Sequence, residues 1–286
     1  MKHILILTIM FFGLFSNAQN PEAFKLYNGK GKEIKFSKMI DDLSEADVVL
    51  FGELHNNSLN HWLELQVAKA LFDKKKTIQL GAEMFEADDQ IVINEYFEGL
   101  YKESNFEKEA KLWNNYKTDY KPLLDFAKNK KLDFIATNIP RRYASMVPKD
   151  GFEGLEKLGD DAKKFIAPMP VEFDTLVPNY KEMLEMDMGH TMGNKVNFAK
   201  AQAIKDATMA YFITKYLKPG FTFIHYNGEF HSKLYGAISW YLKLYKPDVK
   251  IMTISTQEAD DLEFKDDYKA QGDFIFVIPG DMTKTY

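Results

Sequence analysis

Val48, Val49, Leu50 and Phe51 form an unbroken apolar run that stops at Gly52 and is followed at once by Glu53, His55, Asn56 and Asn57. Large apolar residues with two β-branched members in a row read as a strand covered on both faces, the kind found in parallel sheets. Parallel strands need long crossovers, usually helical, so this stretch points the chain toward alternating strands and helices. Gly52 lets the backbone turn tightly, and Asn57 and Ser58 are residue types that cap a following helix. Ionisable side chains just past the carboxyl end of such a strand lie where open α/β sheets bind ligands.

The alternation continues along the chain. Leu59, Trp62, Leu63, Gln66, Val67, Ala70 and Leu71 recur at helical spacing, and Lys74, Lys75 and Lys76 follow with the charge sign favoured at a helix carboxyl end. Residues 77–84 predict a second strand with Glu83 and Glu86 at its end, and residues 132–137 a third that runs into Asn138 and Arg141. Residues 221–225, 249–254 and 274–278 predict the remaining strands of this kind, and residues 33–36 a short early one. Helices are expected over 38–46, 88–100, 120–131, 194–216 and 232–245. The expected fold is α/β, a mainly parallel sheet flanked by helices.

The middle of the chain differs. Residues 148–193 hold Pro148, Pro168, Pro170 and Pro178 and no strand pattern, so they read as a smaller helical insertion or lid in a body made of 19–147 and 194–286. The methionines between 183 and 192 suit adaptable packing better than a ligand set. Residues 1–18 read as a signal peptide, with Lys2 and His3 before an apolar core and Ser16-Asn17-Ala18 as the cleavage site. That core is shorter than the ~20 apolar residues a membrane span needs, and no later stretch is long enough. The mature protein is therefore expected to be exported, periplasmic or associated with the outer membrane, without a stable transmembrane segment.

The chain contains no cysteine, which excludes disulfides, thiolate metal sites, a cysteine nucleophile and a lipidated amino-terminal cysteine. A net charge of −5 without a basic stripe argues against nucleic acid as a partner. No Gly-x-Ser-x-Gly elbow occurs.

What remains is a repeated turn. Gly52-Glu53-Leu54-His55 returns as Gly228-Glu229-Phe230-His231, each after an apolar strand and before a predicted helix. If both strands are central, His55 and His231 converge with Glu83 and Glu229, and Asn138 and Arg141 share their rim. Imidazole and carboxylate suit a divalent metal such as Zn, Mn or Fe, which would activate water for hydrolysis. Glu53, His55, Glu83 and His231 are then the candidate catalytic residues, and His55, Glu83, Glu229 and His231 the candidate metal ligands. The plainer reading is two helix-capping turns alike by chance. His61 reads as a solvated helix residue and His225 as a core residue at a strand end.

The ordered set of pieces at 50–57, 83–85, 120–127, 138–144, 202–210 and 228–231 resembles the ChaN-like haem-binding proteins of the haem-binding-uptake and Tiki grouping. That resemblance implies an α/β body with a smaller helical part, haem as ligand, a homodimer holding stacked haems through tyrosine ligation, and a role in bacterial iron acquisition with a haem-uptake receptor as possible partner. It points to Tyr143, Tyr226 and Tyr235 as candidate axial ligands and to His190 as a further candidate; physically, haem also needs cations for its propionates, which Arg141 and Arg142 would supply. The grouping also holds metal-dependent hydrolases, so both readings stay open, and the lipid-bearing cysteine common among relatives is missing here.

Overall fold

A computed structural model describes residues 22–186 and 194–286. Its sheet has seven strands: β1 (Lys25–Asn28), β2 (Val48–Glu53), β3 (Ile78–Glu86), β4 (Phe134–Asn138), β5 (Thr222–Gly228), β6 (Ile251–Ala259) and β7 (Phe274–Pro279). They lie in the order β1-β7-β6-β2-β5-β3-β4, all parallel except β1, which pairs antiparallel with β7. The two strands that carry the repeated turns, β2 and β5, are neighbours near the centre of the sheet, with Gly52 opposite Asn227 and Glu53 opposite Gly228. Every residue of both strands is buried, including the polar Glu53, His225 and Asn227.

Each face of the sheet has its own apolar layer. On one side Val49, Phe51, Leu80 and Tyr226 pack under α1 (Phe36–Leu43), α2 (Ser58–Lys75) and the helix Lys121–Lys130. On the other, Val48, Leu50 and Phe223 pack under α3 (Lys195–Tyr216) and α4 (Ile238–Tyr245). Leu155, Ile166, Val177 and Tyr180 from the 148–186 segment join this second layer. α2 begins where the Asn57 side chain accepts hydrogen bonds from the Leu59 and Asn60 amides.

Two local expectations are corrected. Residues 33–36 do not form a strand: Glu33 makes an isolated bridge to Tyr27, and Phe36 already begins α1. Pairing at that edge falls to β1, which ends where the Asn28 side chain accepts from the Lys30 and Lys32 amides and turns the chain. Residues 232–237 are not α-helical either: Lys233–Tyr235 make only a short 3-10 turn, and α4 starts at Ile238. Leu234, Tyr235 and Ala237 sit at positive φ, held there while the Asn179 side chain donates to the carbonyls of Phe230 and Lys233. That tertiary contact overrides a locally helical pattern. The signal peptide and His190 lie outside the described residues.

Candidate functional site

The register of β2 on β5 places Glu53 beside Gly228, and the site grows from that pair. Glu53 Oε1 accepts from the Tyr120 hydroxyl at 2.8 Å and lies 2.5 Å from His55 Nδ1. From β3, Glu83 Oε2 accepts the Gly228 amide at 2.8 Å, while its Oε1 lies 3.4 Å from His231 Nε2. His231 Nδ1 is 2.5 Å from Asp206 Oδ1 on α3, and Asp206 Oδ2 accepts from the Tyr180 hydroxyl at 2.7 Å. Each imidazole is thus gripped at Nδ1 by a buried carboxylate. Such a grip fixes ring orientation and leaves Nε2 as the working atom, as in metal-ligating and acid–base histidines.

Of these groups Glu53, His55, Glu83, Gly228 and His231 border a cleft of about 760 Å³ at the carboxyl ends of the central strands. Its walls include Leu54, Trp113, Ile139 and Phe230, with Arg141 and Lys205 as cations. A second cleft of about 770 Å³ adjoins it, sharing Glu86, Trp113, Arg141 and Tyr286 and adding Lys111 and Arg142. Both lie within the size range of small-molecule sites.

Charge is distributed unevenly among the buried groups. Burial opposes ionisation of Glu83, but the His231 imidazolium, His55 and the Gly228 amide outweigh it and hold the carboxyl below the usual range. Burial likewise opposes a charged His231, yet Glu83 and Asp206 raise it to about 10. Burial raises Asp206, against the pull of His231 and Tyr180. His225, fully buried, is pushed down to about 4 by burial and stays neutral against Thr137 and Asn227.

The raised His231 makes a test of the site's electrostatics. Its folded-state pKa lies above its unfolded value, so its contribution is fully present below pH ~6.5 and is lost as pH rises through about 10. Urea unfolding of the metal-free chain between pH 7 and 9 is expected to show stability falling with pH. His231→Asn is expected to remove up to about 1.4 kcal/mol per pH unit of that slope. Identical slopes in both proteins would mean that His231 is neutral.

The expected site residues divide into those the fold gathers and those it does not. Glu53, His55, Glu83 and His231 stand together, and Asn138 and Arg141 line the same cleft. Glu229 also borders it, but its Oε1 is tied to Ser255 at 2.8 Å and Gln257 at 2.6 Å, away from the two histidines. Tyr226 is corrected: it faces the apolar layer beside Phe51, fully buried, so its hydroxyl cannot reach a ligand in the cleft. Tyr235 is half-exposed with its hydroxyl 3.3 Å from Asp273, and it lines neither cleft. Tyr143 packs its ring under the Arg142 guanidinium at 4.3 Å and also lines neither cleft.

His61 is corrected as well. It is buried, with Nε2 3.1 Å from the His55 carbonyl and Nδ1 3.1 Å from Glu64 Oε2. Burial opposes its charging, but Glu64, Glu53 and Asp119 raise it to about 10 in the metal-free chain. Its spacing on α2 from Asn60 and Glu64 marks a polar face, and only the position of Glu53 shows that this face points inward. Asp206, Tyr120, Trp113 and Tyr286 are further site residues that no role had been given. For Asp206 the available signal was its place one turn beyond Gln202 on a helix that returns to the sheet.

Comparison with known proteins gives one family match. The model for haem-binding uptake proteins, Tiki superfamily, ChaN, matches residues 39–242. Among curated proteins none matches. The structure is similar to ChaN of Campylobacter jejuni, described as binding haem cofacially, with a TM-score of 0.67 at 16% identity over 92% of this chain and 99% of that one. Weaker likeness extends to a Bacillus cereus protein, at 14% identity over 82% and 72% of the chains with a TM-score of 0.47. An erythromycin esterase variant, EreC, follows at 10% identity over 83% and 77% with a TM-score of 0.48. At 16% identity the likeness to the Campylobacter protein is one of fold.

Proposed function

The chain belongs to the ChaN family of haem-binding uptake proteins in the Tiki superfamily, and from that premise we propose that it is an exported protein that binds haem for bacterial iron acquisition, storing it or passing it on. The observation that carries this reading is the cleft at the strand ends, because its donor set fits the group. Haem needs an axial donor, apolar walls and cations for its propionates. His55 borders the cleft with Nδ1 engaged by Glu53 and Nε2 against Gly228, Trp113 and Phe230 supply aromatic walls, and Arg141 and Lys205 supply the cations. When bound, haem would bring an iron centre whose behaviour depends on that donor and on the surrounding polarity. The chain's own part is to orient the donor through Glu53 and to pair the propionates.

Cofacial haem binding, as described for the Campylobacter protein, brings two haems face to face. A homodimer that joins two such clefts is the matching assembly for this chain, and a haem-uptake receptor the matching partner. With export, the protein would work in the periplasm or at the outer membrane.

Haemin titration followed by absorption tests the reading. A saturable Soret shift is expected, with His55→Ala altering its position or abolishing it. Arg141→Ala is expected to weaken binding about tenfold or more, the loss of a charge-assisted bond of about 1.5–3 kcal/mol. Absence of any saturable shift would sink the haem assignment.

A second reading has its own supporting observation. His231 Nε2 is 3.4 Å from the Glu83 carboxylate, and His55 Nε2 and Glu83 Oε2 both lie against Gly228, an imidazole–carboxylate group at the wall of the cleft. Such a group would serve a metal-dependent hydrolase, with the metal polarising the scissile bond and a carboxylate as general base. Hydrolytic activity lost to a chelator and to His231→Ala, without a haem spectrum, would favour it.

A further inference from the structure

Behind the cleft lies a second, buried group of ionisable side chains, of which the haem reading uses only Glu53 and that only through its other oxygen. Glu53 comes from the end of β2, and His61 and Glu64 from the first turns of α2, where a spacing of three puts them side by side. All three are buried, with 2%, 5% and 0% exposure. One ligand atom from each can be chosen so that all lie within 4.8 Å of one another.

The hydrogen bonding around this group is unbalanced. His61 Nε2 is 3.1 Å from the His55 carbonyl, an acceptor only, so Nε2 carries a proton and donates it there. In the neutral ring that leaves Nδ1 as a lone pair. Nδ1 faces Glu64 Oε2 at 3.1 Å and Glu53 Oε2 at 3.9 Å, which are also acceptors. Glu53 Oε2 and Glu64 Oε1 are buried without a hydrogen-bond partner among the described residues. Lone pairs therefore converge on one small volume, and something electropositive must stand among them.

We infer that Glu53, His61 and Glu64 bind one divalent transition-metal cation, such as Zn²⁺ or Mn²⁺, in a buried site behind the cleft. Two carboxylates and an imidazole are a ligand set suited to these ions. The surrounding bonds follow the pattern that orients metal ligands: His61 donates its other ring N–H to a backbone carbonyl, and Glu53 Oε1 is held by Tyr120 and His55. Because Glu53 spans both places, an ion on its Oε2 fixes the carboxylate that grips His55. The site is structural in position, yet it sets the orientation of a cleft residue.

The competing occupant is a proton pair: an imidazolium on His61 with one carboxyl protonated between Glu53 and Glu64. The full chain, purified without chelator, is assayed for metal by elemental analysis, beside Glu64→Gln and His231→Gln. About one divalent ion per chain is expected, kept in His231→Gln and lost in Glu64→Gln. In parallel, Zn²⁺ or Mn²⁺ is added to chelator-treated wild-type protein and the thermal midpoint is followed, which keeps the inference testable if Glu64→Gln fails to fold. The midpoint is expected to rise with either ion. A chain that purifies without metal and gains no thermal stability from either ion overturns the inference in favour of protons. Metal lost in His231→Gln and kept in Glu64→Gln also overturns it, since the ion would then belong to the cleft. Haemin binding is read separately, so failure here leaves the haem proposal standing.

Discussion

Replacing Asp206 by alanine is expected to destabilise the chain by about 3–5 kcal/mol, as when one partner of a buried ion pair is removed. Asp206 is fully buried on α3 and serves two elements at once. Its Oδ1 holds His231 Nδ1 at 2.5 Å, and its Oδ2 holds the Tyr180 hydroxyl at 2.7 Å. Without it, an imidazole and a phenol lose their acceptor in the interior, and the space left is too confined to hydrate both freely. Asp206→Asn keeps shape and one acceptor, so it is expected to fall between wild type and alanine. Urea unfolding with unchanged m-value is the measurement. A loss below ~1 kcal/mol for the alanine variant, the range of an exposed ion pair, would mean that this network carries little of the stability.

The same substitution has a second consequence because of where His231 points. Its Nε2 reaches Glu83, and Glu83 in turn accepts the Gly228 amide at the end of β5. Asp206 therefore acts on the cleft through His231, which borders it, from the same helix that adds Lys205 to its wall. The 148–186 segment enters this chain of contacts through Tyr180, so the helical middle of the protein helps set the geometry of the strand ends.

How far this could be read from the sequence depends on the type of contact. β2 was legible because residues 48–51, buried on both faces, leave an unbroken apolar signature, and β5 through the β-branched and aromatic residues of 221–225. The repeated Gly-Glu-x-His turns marked their ends. That the turns meet follows from β2 and β5 being adjacent, and strand order is a property of the whole sheet rather than of any stretch. Asp206 lay within a recognisable piece, but its role needed α3 to be docked over His231. His61 was misread for a specific physical reason. Periodicity arguments treat polar residues on a helix as facing water, whereas α2 turns Asn60, His61 and Glu64 inward to meet Glu53. Tyr226 failed in the opposite way, since alternation along β5 sends its ring into the apolar layer although Gly228, two residues on, borders the cleft. Tyr286 carried no local signal at all; it reaches the cleft because Thr285 bonds to Asp119 and to the Asn56 carbonyl.

Gly228→Ala is expected to cost about 1–3 kcal/mol and to disable the cleft on the side of His55. The residue's φ is −51°, so backbone freedom is not what glycine supplies here. Space is: a Cβ at this position would lie 2.6 Å from His55 Nε2 and 3.0 Å from its Cε1. The ring cannot yield by a small slide, because Nδ1 is held by Glu53 and the Trp113 ring stands edge-on at 5.0 Å. It must swing out and give up the bond to Glu53, which then leaves a buried carboxylate with one partner fewer. Haemin binding in this variant is expected to match that of His55→Ala, although His55 itself is intact. Gly159→Ala is the control, since no described residue lies within 4 Å of a Cβ there, and its effect on stability is expected within ~0.5 kcal/mol. If Gly228→Ala binds haemin as wild type does while His55→Ala fails, the imidazole has an alternative productive position. The bond to Glu53 would then not be what orients the donor.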